Sequence, residues 1–137
     1  MFENKRDVLL SIMGATAGLS VPLYVLSPRG TTLYFGGQPS PTTSAFVRLV
    51  GSGDLLVSLL AFSHLGKKRC EQLLAMRWIS VYSVTHMLSF LAAHWLGELK
   101  IPLPTLVFTL ASSVLGVGVV GYTYWTELED AKPTKHD

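Results

Sequence analysis

Residues 103–125 contain no Asp, Glu, Lys or Arg over 23 positions. About 20 apolar residues in a helix cross the ~30 Å hydrocarbon core of a lipid bilayer. Because this stretch is apolar on every side, it has no face suited to water in a small soluble domain. Residues 8–26 repeat the pattern over 19 positions. The two stretches predict an integral membrane protein.

Two further hydrophobic segments, residues 46–65 and 73–96, complete the predicted architecture. Their apolar runs are continuous, unlike the alternating segments of about ten residues in a membrane β-barrel. The prediction is an all-α integral membrane protein, in which residues 1–137 form one four-transmembrane-helix bundle with spans at about 8–26, 46–65, 73–96 and 103–125. Residues 27–45 hold three prolines and three glycines, which predicts an ordered loop or short interfacial element. The polar tail, residues 127–137, is expected to be frayed.

The basic residues predict the orientation of these spans. Four spans with both the N and C termini in the cytoplasm place eight of the eleven lysines and arginines on the cytoplasmic side. These are Lys5, Arg6, Lys67, Lys68, Arg69, Arg77, Lys132 and Lys135. Only Arg29, Arg48 and Lys100 remain on the other side, a bias that follows the positive-inside rule.

Composition excludes several classes of function. Charged residues make up 15% of the chain, against about 25% in soluble proteins, and a net charge of +2 is too small to suggest nucleic acid as a partner. No metal-binding, phosphate-binding or nucleophile motif occurs. Haem between helices is not expected because no second histidine matches His86 in depth. We therefore predict no enzymatic activity, no metal and no cofactor.

Asp54 is the most costly residue to place in a membrane. A carboxylate near the centre of a span costs about 2.5–3.5 kcal/mol, so it should face protein or water. At the helical rise, Asp54 lies about 18 Å and His86 about 20 Å from the cytoplasmic ends of their spans. Thr109 reaches a similar depth in the last span. We predict a polar belt of Asp54, His86 and Thr109, which is either a proton-linked or ligand-binding site or a set of interhelical hydrogen bonds.

Small residues recur at helical spacing in the first and last spans. Gly14 and Gly18 form one such pair, and Ser112 and Gly116 form another. Small residues four apart let helix backbones approach closely. They predict packing within the bundle or a face for a homodimer or partner, and they make the first and last spans our candidates for the closest contact.

The loop before the third span combines three basic residues with the single cysteine, Cys70. A cysteine beside a membrane span is a candidate for palmitoylation, and the basic triplet, residues 67–69, would attract anionic lipids. Membrane topology alone also explains the triplet. With one cysteine, the chain cannot form an intramolecular disulfide.

The order of several short elements resembles the tumour protein p53-inducible protein 11 family of small multi-span membrane proteins. These elements are residues 48–51 (RLVG), 55–59 (LLVSL), Arg77-Trp78 and 122–125 (YTYW). The resemblance covers about residues 19–135 and implies a membrane protein of regulatory or structural role without enzymatic activity. The chain departs from the family pattern at Asp54, where the family has an apolar residue, and at Ser83, where it has an acid. The family's longer polar N-terminal region is also absent.

A fainter resemblance, carried by Arg48, Gly51 and the Ala93-His94…Glu98 element, is to small sterol-pathway scaffold proteins of the endoplasmic reticulum. We expect a non-enzymatic interaction, scaffold or regulatory component of the endoplasmic reticulum or another endomembrane. Its partners would be the lipid bilayer and a membrane protein or a second copy of the chain, and not nucleic acid. Two alternatives are a small transporter or ligand-binding protein that uses Asp54 and His86, and an accessory subunit of a larger membrane complex.

Overall fold

The computed structural model describes residues 5–130, and every regular element in that part of the chain is helical. The elements in chain order are α1 (Lys5–Leu26), α2 (Pro28–Tyr34), α3 (Pro41–Ser63), α4 (Arg69–Trp95) and α5 (Leu103–Asp130). The all-α prediction is confirmed for these residues. The segment predicted as a loop or short interfacial element contains the seven-residue helix α2.

Three of the described helices are long and apolar enough to cross a membrane: α1, α3 and residues Leu103–Leu128 of α5. At most 17% of the residues in the apolar window of each are buried within the fold. Leu19, Leu26 and Val114 are 71–81% exposed. So much exposed apolar surface is unfavourable in water and suited to lipid. α4 spans 27 residues but is more polar than these three helices.

Local capping explains where α3 begins, five residues before the predicted boundary. The Ser40 side chain accepts a hydrogen bond from the Thr43 backbone N–H at 3.1 Å, and the Thr43 hydroxyl accepts one from the Ser40 N–H at 2.7 Å. Pro41 occupies the first turn, where its missing N–H costs nothing. This reciprocal capping adds a polar first turn that hydropathy alone does not detect.

The end of α5 corrects another boundary. Residues 127–130 were predicted to belong to a frayed tail, but α5 continues through them to Asp130. Glu127 forms an ion pair with Arg77 of α4 at 2.6 Å, and this contact supports the last turns of the helix. The rest of the predicted tail, residues 131–137, lies outside the described residues.

The four long helices pack as two antiparallel pairs, α1 with α3 and α4 with α5. Contacts between the pairs are fewer and run mainly from α4 to α1 and α3. The shared core consists of Leu10, Val57, Ala61, Ala75, Met76 and Ile79. The expectation that the first and last spans make the closest contact is therefore wrong, because each pairs with a different neighbour.

Buried polar side chains join the pairs at the end of the molecule where α1 begins and α5 finishes, which we call the terminal end. The Gln72 side chain is fully buried and donates to the Asp7 carboxylate at 2.6 Å. Asp7 also accepts from the Gly66 N–H at 2.9 Å, and Arg6 donates to Gln72 at 3.1 Å. These bonds fix α1 against the start of α4.

Candidate functional site

Three side chains from two neighbouring helices surround Asp54 of α3. The Ser20 hydroxyl of α1 donates to the Asp54 carboxylate of α3 at 2.5 Å. It also lies 2.7 Å from the Ala17 carbonyl oxygen of its own helix, so the two acceptors share one hydroxyl hydrogen. From α4, the Tyr82 hydroxyl lies against Gly53 and interacts with Asp54, while His86 is an electrostatic neighbour of the same carboxylate. We call Ser20, Asp54, Tyr82 and His86 the Asp54 cluster.

The structure places two of the three predicted belt residues together. Asp54 of α3 and His86 of α4 lie close enough to interact electrostatically. Thr109 is completely buried, but it donates its single hydroxyl hydrogen to the Thr105 carbonyl oxygen at 2.8 Å within α5. Thr109 is therefore not a donor to Asp54 or His86. It belongs to a stripe of hydroxyls on α5, with Thr105 and Ser113 one turn to either side.

A cavity of about 320 Å³ lies near the opposite end of the molecule from the chain termini, which we call the α2 end. Its walls include Tyr24, Phe35, Phe46, Val47, Val50 and Phe90. Three of the four threonines in the wall, Thr31, Thr32 and Thr43, direct their hydroxyls to nearby backbone carbonyls, as Thr32 does to Pro28 at 2.8 Å. The cavity surface is almost wholly apolar. Phe46 is 65% exposed, which places one side of the cavity at the outer surface of α3.

The Asp54 cluster lies one helical turn from this cavity on each of three helices. On α1, the wall residue Tyr24 follows the cluster residue Ser20 by four positions. On α3 the pair is Val50 and Asp54, and on α4 it is Phe90 and His86. Residues four apart share one face of a helix, about 6 Å apart along its axis. Since all three steps lead toward the terminal end, the cluster forms a polar layer one turn below the apolar chamber. We call this layer the floor, although its four residues are not part of the cavity wall itself.

Ring contacts connect this floor to α2. His86 packs between Tyr82 and Phe90, with ring centroids 5.8 and 5.1 Å away. Phe90 then stacks on Phe35 just after α2, at 4.2 Å. α2 itself is held over the cavity because the Thr105 hydroxyl donates to the Tyr34 carbonyl at 3.2 Å.

A glycine permits the close approach of the two connections at the α2 end. Gly36 has a φ of +75°, and a Cβ there would collide with the Lys100 carbonyl oxygen. His94 supports the same region, where its Nδ1 accepts from the Ile101 N–H at 3.2 Å. His94 thus stabilises the turn between α4 and α5 and lies apart from the Asp54 cluster.

Asp54 is the acidic group of the site. Within residues 5–130, no lysine or arginine forms an ion pair with this carboxylate. Arg48 is exposed on another face of α3, as expected from its spacing to Asp54. In that same part of the chain, no three His, Cys, Asp or Glu side chains come together in a way that could hold a metal ion. The arrangement suits hydrogen bonding or charge pairing more than metal binding.

The small residues lie at helix interfaces. A Cβ on Gly14 would come within 3.0 Å of Ala61, and one on Gly18 within 2.8 Å of the Ser58 hydroxyl. A Cβ on Gly116 would come within 2.6 Å of Val84 of α4. Ser112 is half-buried one turn before Gly116. Cys70 is exposed in the first turn of α4, so its modification stays a prediction.

Sequence reasoning missed Ser20, Tyr82 and the whole cavity. The cavity wall uses α2 and the connections at the α2 end, whose positions depend on tertiary packing. The position of Ser20 in an apolar span already indicated that its hydroxyl would hydrogen-bond to a polar group. Its partner could not be identified without knowing which helices pair.

The chain matches no protein-family model, no curated protein and no solved structure. Its resemblance to the tumour protein p53-inducible protein 11 family therefore stays a prediction from the short elements quoted above.

Proposed function

We propose that the chain is a non-enzymatic integral membrane protein that crosses the bilayer four times, with both termini in the cytoplasm, and binds a small ligand within the membrane. α1, α3 and α5 supply three of the spans. α4 supplies the fourth, because its 27 residues extend about 40 Å, enough to cross a bilayer.

The polar side chains of α4 are compatible with a span. Gln72 and Ser80 are buried, and Arg77 is paired with Glu127 and lies 3.8 Å from the centre of the Tyr124 ring. Partners of this kind shield polar side chains from lipid. A crossing by α4 also returns the chain terminus to the side of Lys5 and the 67–69 triplet, in agreement with the positive-inside rule.

One observation carries the ligand-binding function: an apolar cavity lies one helical turn from a polar cluster built from three helices. Ligand pockets are commonly apolar, of about 300–1,000 Å³, with a few polar groups that orient the ligand. A polar cluster that served packing alone would not need an open chamber beside it. The cavity also reaches the outer surface at Phe46, so a ligand could enter from the lipid.

The test is to purify the protein in lipid nanodiscs, extract what is bound and identify it by mass spectrometry. Val50→Phe adds bulk to the cavity wall, whereas Leu49→Phe introduces the same ring at a side chain that is 70% exposed. We expect one small molecule to accompany the wild type and Leu49→Phe and to be depleted in Val50→Phe. Equal recovery from Val50→Phe, or none from the wild type, would contradict ligand binding in this cavity.

A second candidate is an interaction, scaffold or accessory-subunit role. It is favoured by Gly118 and Gly121 of α5, which have open space in front of them in the described chain and so offer a flat surface to another helix. Affinity purification in mild detergent tests this role. A stoichiometric membrane partner that is lost on Gly118→Leu supports it, and a partner-free protein contradicts it. Residence in the endoplasmic reticulum or another endomembrane remains part of this proposal.

A further inference from the structure

We propose that the ligand of this site is a lipophilic amine, with its hydrocarbon body in the cavity and its protonated amino group at Asp54. This proposal rests on the ligand-binding function proposed above and adds the chemical class of the ligand. It is argued from the wall, the floor and the opening of the cavity.

The apolar side chains of the cavity wall favour a ligand with a hydrocarbon body. Aromatic and aliphatic side chains form most of the wall, and three of its four threonine hydroxyls, those of Thr31, Thr32 and Thr43, are already bonded to backbone carbonyls. A polar body would lose its hydrogen bonds with water and find few replacements. The opening beside Phe46 faces the surface that lipid would cover, which is the phase in which a hydrocarbon ligand concentrates.

The acidic side chain of the floor, Asp54, favours a ligand with a cationic head group. Asp54 accepts a hydrogen bond from Ser20 and lies beside Tyr82 and His86, but no lysine or arginine within residues 5–130 is paired with it. An acidic side chain in a low-dielectric site is stabilised most by an opposite charge. An ammonium group provides that charge together with hydrogen-bond donors for the carboxylate.

Other head groups fit less well. A carboxylate or phosphate would be repelled by Asp54, and the floor holds no arginine or lysine to bind it. A hydroxyl can donate one hydrogen bond to Asp54 but cannot balance its charge. A ligand with its hydrocarbon body in the cavity would have to extend its amino group one helical turn past Val50 to meet Asp54. That step is about 6 Å along the axis of α3.

The experiment compares three probes with the same alkyl chain: dodecylamine, dodecanol and dodecanoic acid. Each is titrated at neutral pH into the purified protein in phosphatidylcholine nanodiscs, and apparent affinity is taken from the shift in the thermal unfolding midpoint. Empty nanodiscs and the Val50→Phe protein account for partitioning into lipid. We expect dodecylamine to bind about tenfold or more tightly than dodecanol, as a charge-assisted pair implies, and dodecanoic acid to bind most weakly.

Asp54→Asn tests the origin of this preference, with Glu71→Gln as a matched change of an exposed acid to its amide. Asp54→Asn should abolish the advantage of the amine while leaving dodecanol binding in place, and Glu71→Gln should change neither. If Asp54→Asn does not fold, the probe comparison on the wild type decides alone.

Equal affinity for the amine and the alcohol, with both lost in Val50→Phe, would overturn amine selectivity while the ligand-binding function stands. If no probe distinguishes the wild type from Val50→Phe, amine selectivity and ligand binding in this cavity are both wrong.

Discussion

The Ser20 hydroxyl of α1 donates a hydrogen bond to the Asp54 carboxylate of α3 across 2.5 Å. The bond joins the two most extensively packed helices and orients the carboxylate at the floor of the apolar cavity. One contact thus contributes both to helix pairing and to the geometry of the proposed binding site.

Replacing Ser20 with Ala should weaken this helix pair moderately. Interhelical hydrogen bonds in membrane proteins average about 0.6 kcal/mol and reach about 1.7 kcal/mol, so we expect a loss of stability in that range. Reversible unfolding in mixed micelles measures it. Ser52→Ala is the control, because Ser52 is exposed and bonds only to the Arg48 carbonyl of its own helix. Equal effects of the two substitutions would show that the contact with Asp54 contributes nothing specific.

Gly116 and Gly118 allow a matched test of the pairing of α4 with α5. A Cβ at Gly116 would collide with Val84, whereas a Cβ at Gly118 would meet nothing within 4 Å in the described chain. Gly116→Leu should therefore destabilise the protein by about 1–3 kcal/mol, the usual cost of overpacking, and Gly118→Leu should have little effect on the isolated protein. Thermal unfolding of both variants checks this, and a reversed order of stability would refute the packing described.

Gln72→Leu should be among the more damaging single changes at the terminal end. Gln72 is fully buried and bonds to Asp7, Arg6 and the His64 carbonyl. Leaving such polar groups without their partner costs about 1–3 kcal/mol. Gln38→Leu makes the same change at an exposed position. Denaturant unfolding should separate the two variants, and similar stabilities would argue against a structural role for the buried glutamine.

Glu98→Cys in a Cys70→Ser background tests whether α4 crosses the membrane. Four spans place residue 98 on the side opposite Cys70, whereas a protein in which α4 does not cross places both on one side. A membrane-impermeant maleimide applied to sealed right-side-out and inverted vesicles reports the side of each thiol. We expect the wild-type Cys70 and the new residue 98 thiol to label from opposite sides. Labelling from the same side would mean three spans.

The apolar helices could be predicted from sequence because hydropathy is a one-dimensional property. Residues 103–125 and 8–26 were found from the absence of charge alone, and both lie in helices of the structure. Boundaries were less accurate where polar residues extend a helix, as Ser40 and Thr43 do at the start of α3. The pairing of helices could not be read from small residues, since Gly14 and Gly116 predict close packing without saying against which neighbour.

For the candidate site, the sequence predicted how deep each residue lies along its helix. It did not predict toward which neighbouring helix each side chain points. Counting the rise along two antiparallel helices brought Asp54 and His86 together. The same count failed for Thr109, because equal depth does not make its hydroxyl face Asp54. Its spacing of four from Thr105 and Ser113 already indicated a stripe within α5. The cavity depends on how α2 packs against α1 and α3, which no local pattern specifies.

The most direct test of ligand binding at the floor of this cavity is photo-cross-linking with a long-chain alkylamine that carries a diazirine in its chain. The protein is labelled in phosphatidylcholine nanodiscs with and without excess dodecylamine, and the modified peptides are mapped by mass spectrometry. We predict labels at cavity residues such as Val47, Val50 and Phe90 that dodecylamine removes. Labels spread over exposed residues such as Leu19, Leu56 and Val114, with no loss on competition, would contradict the account.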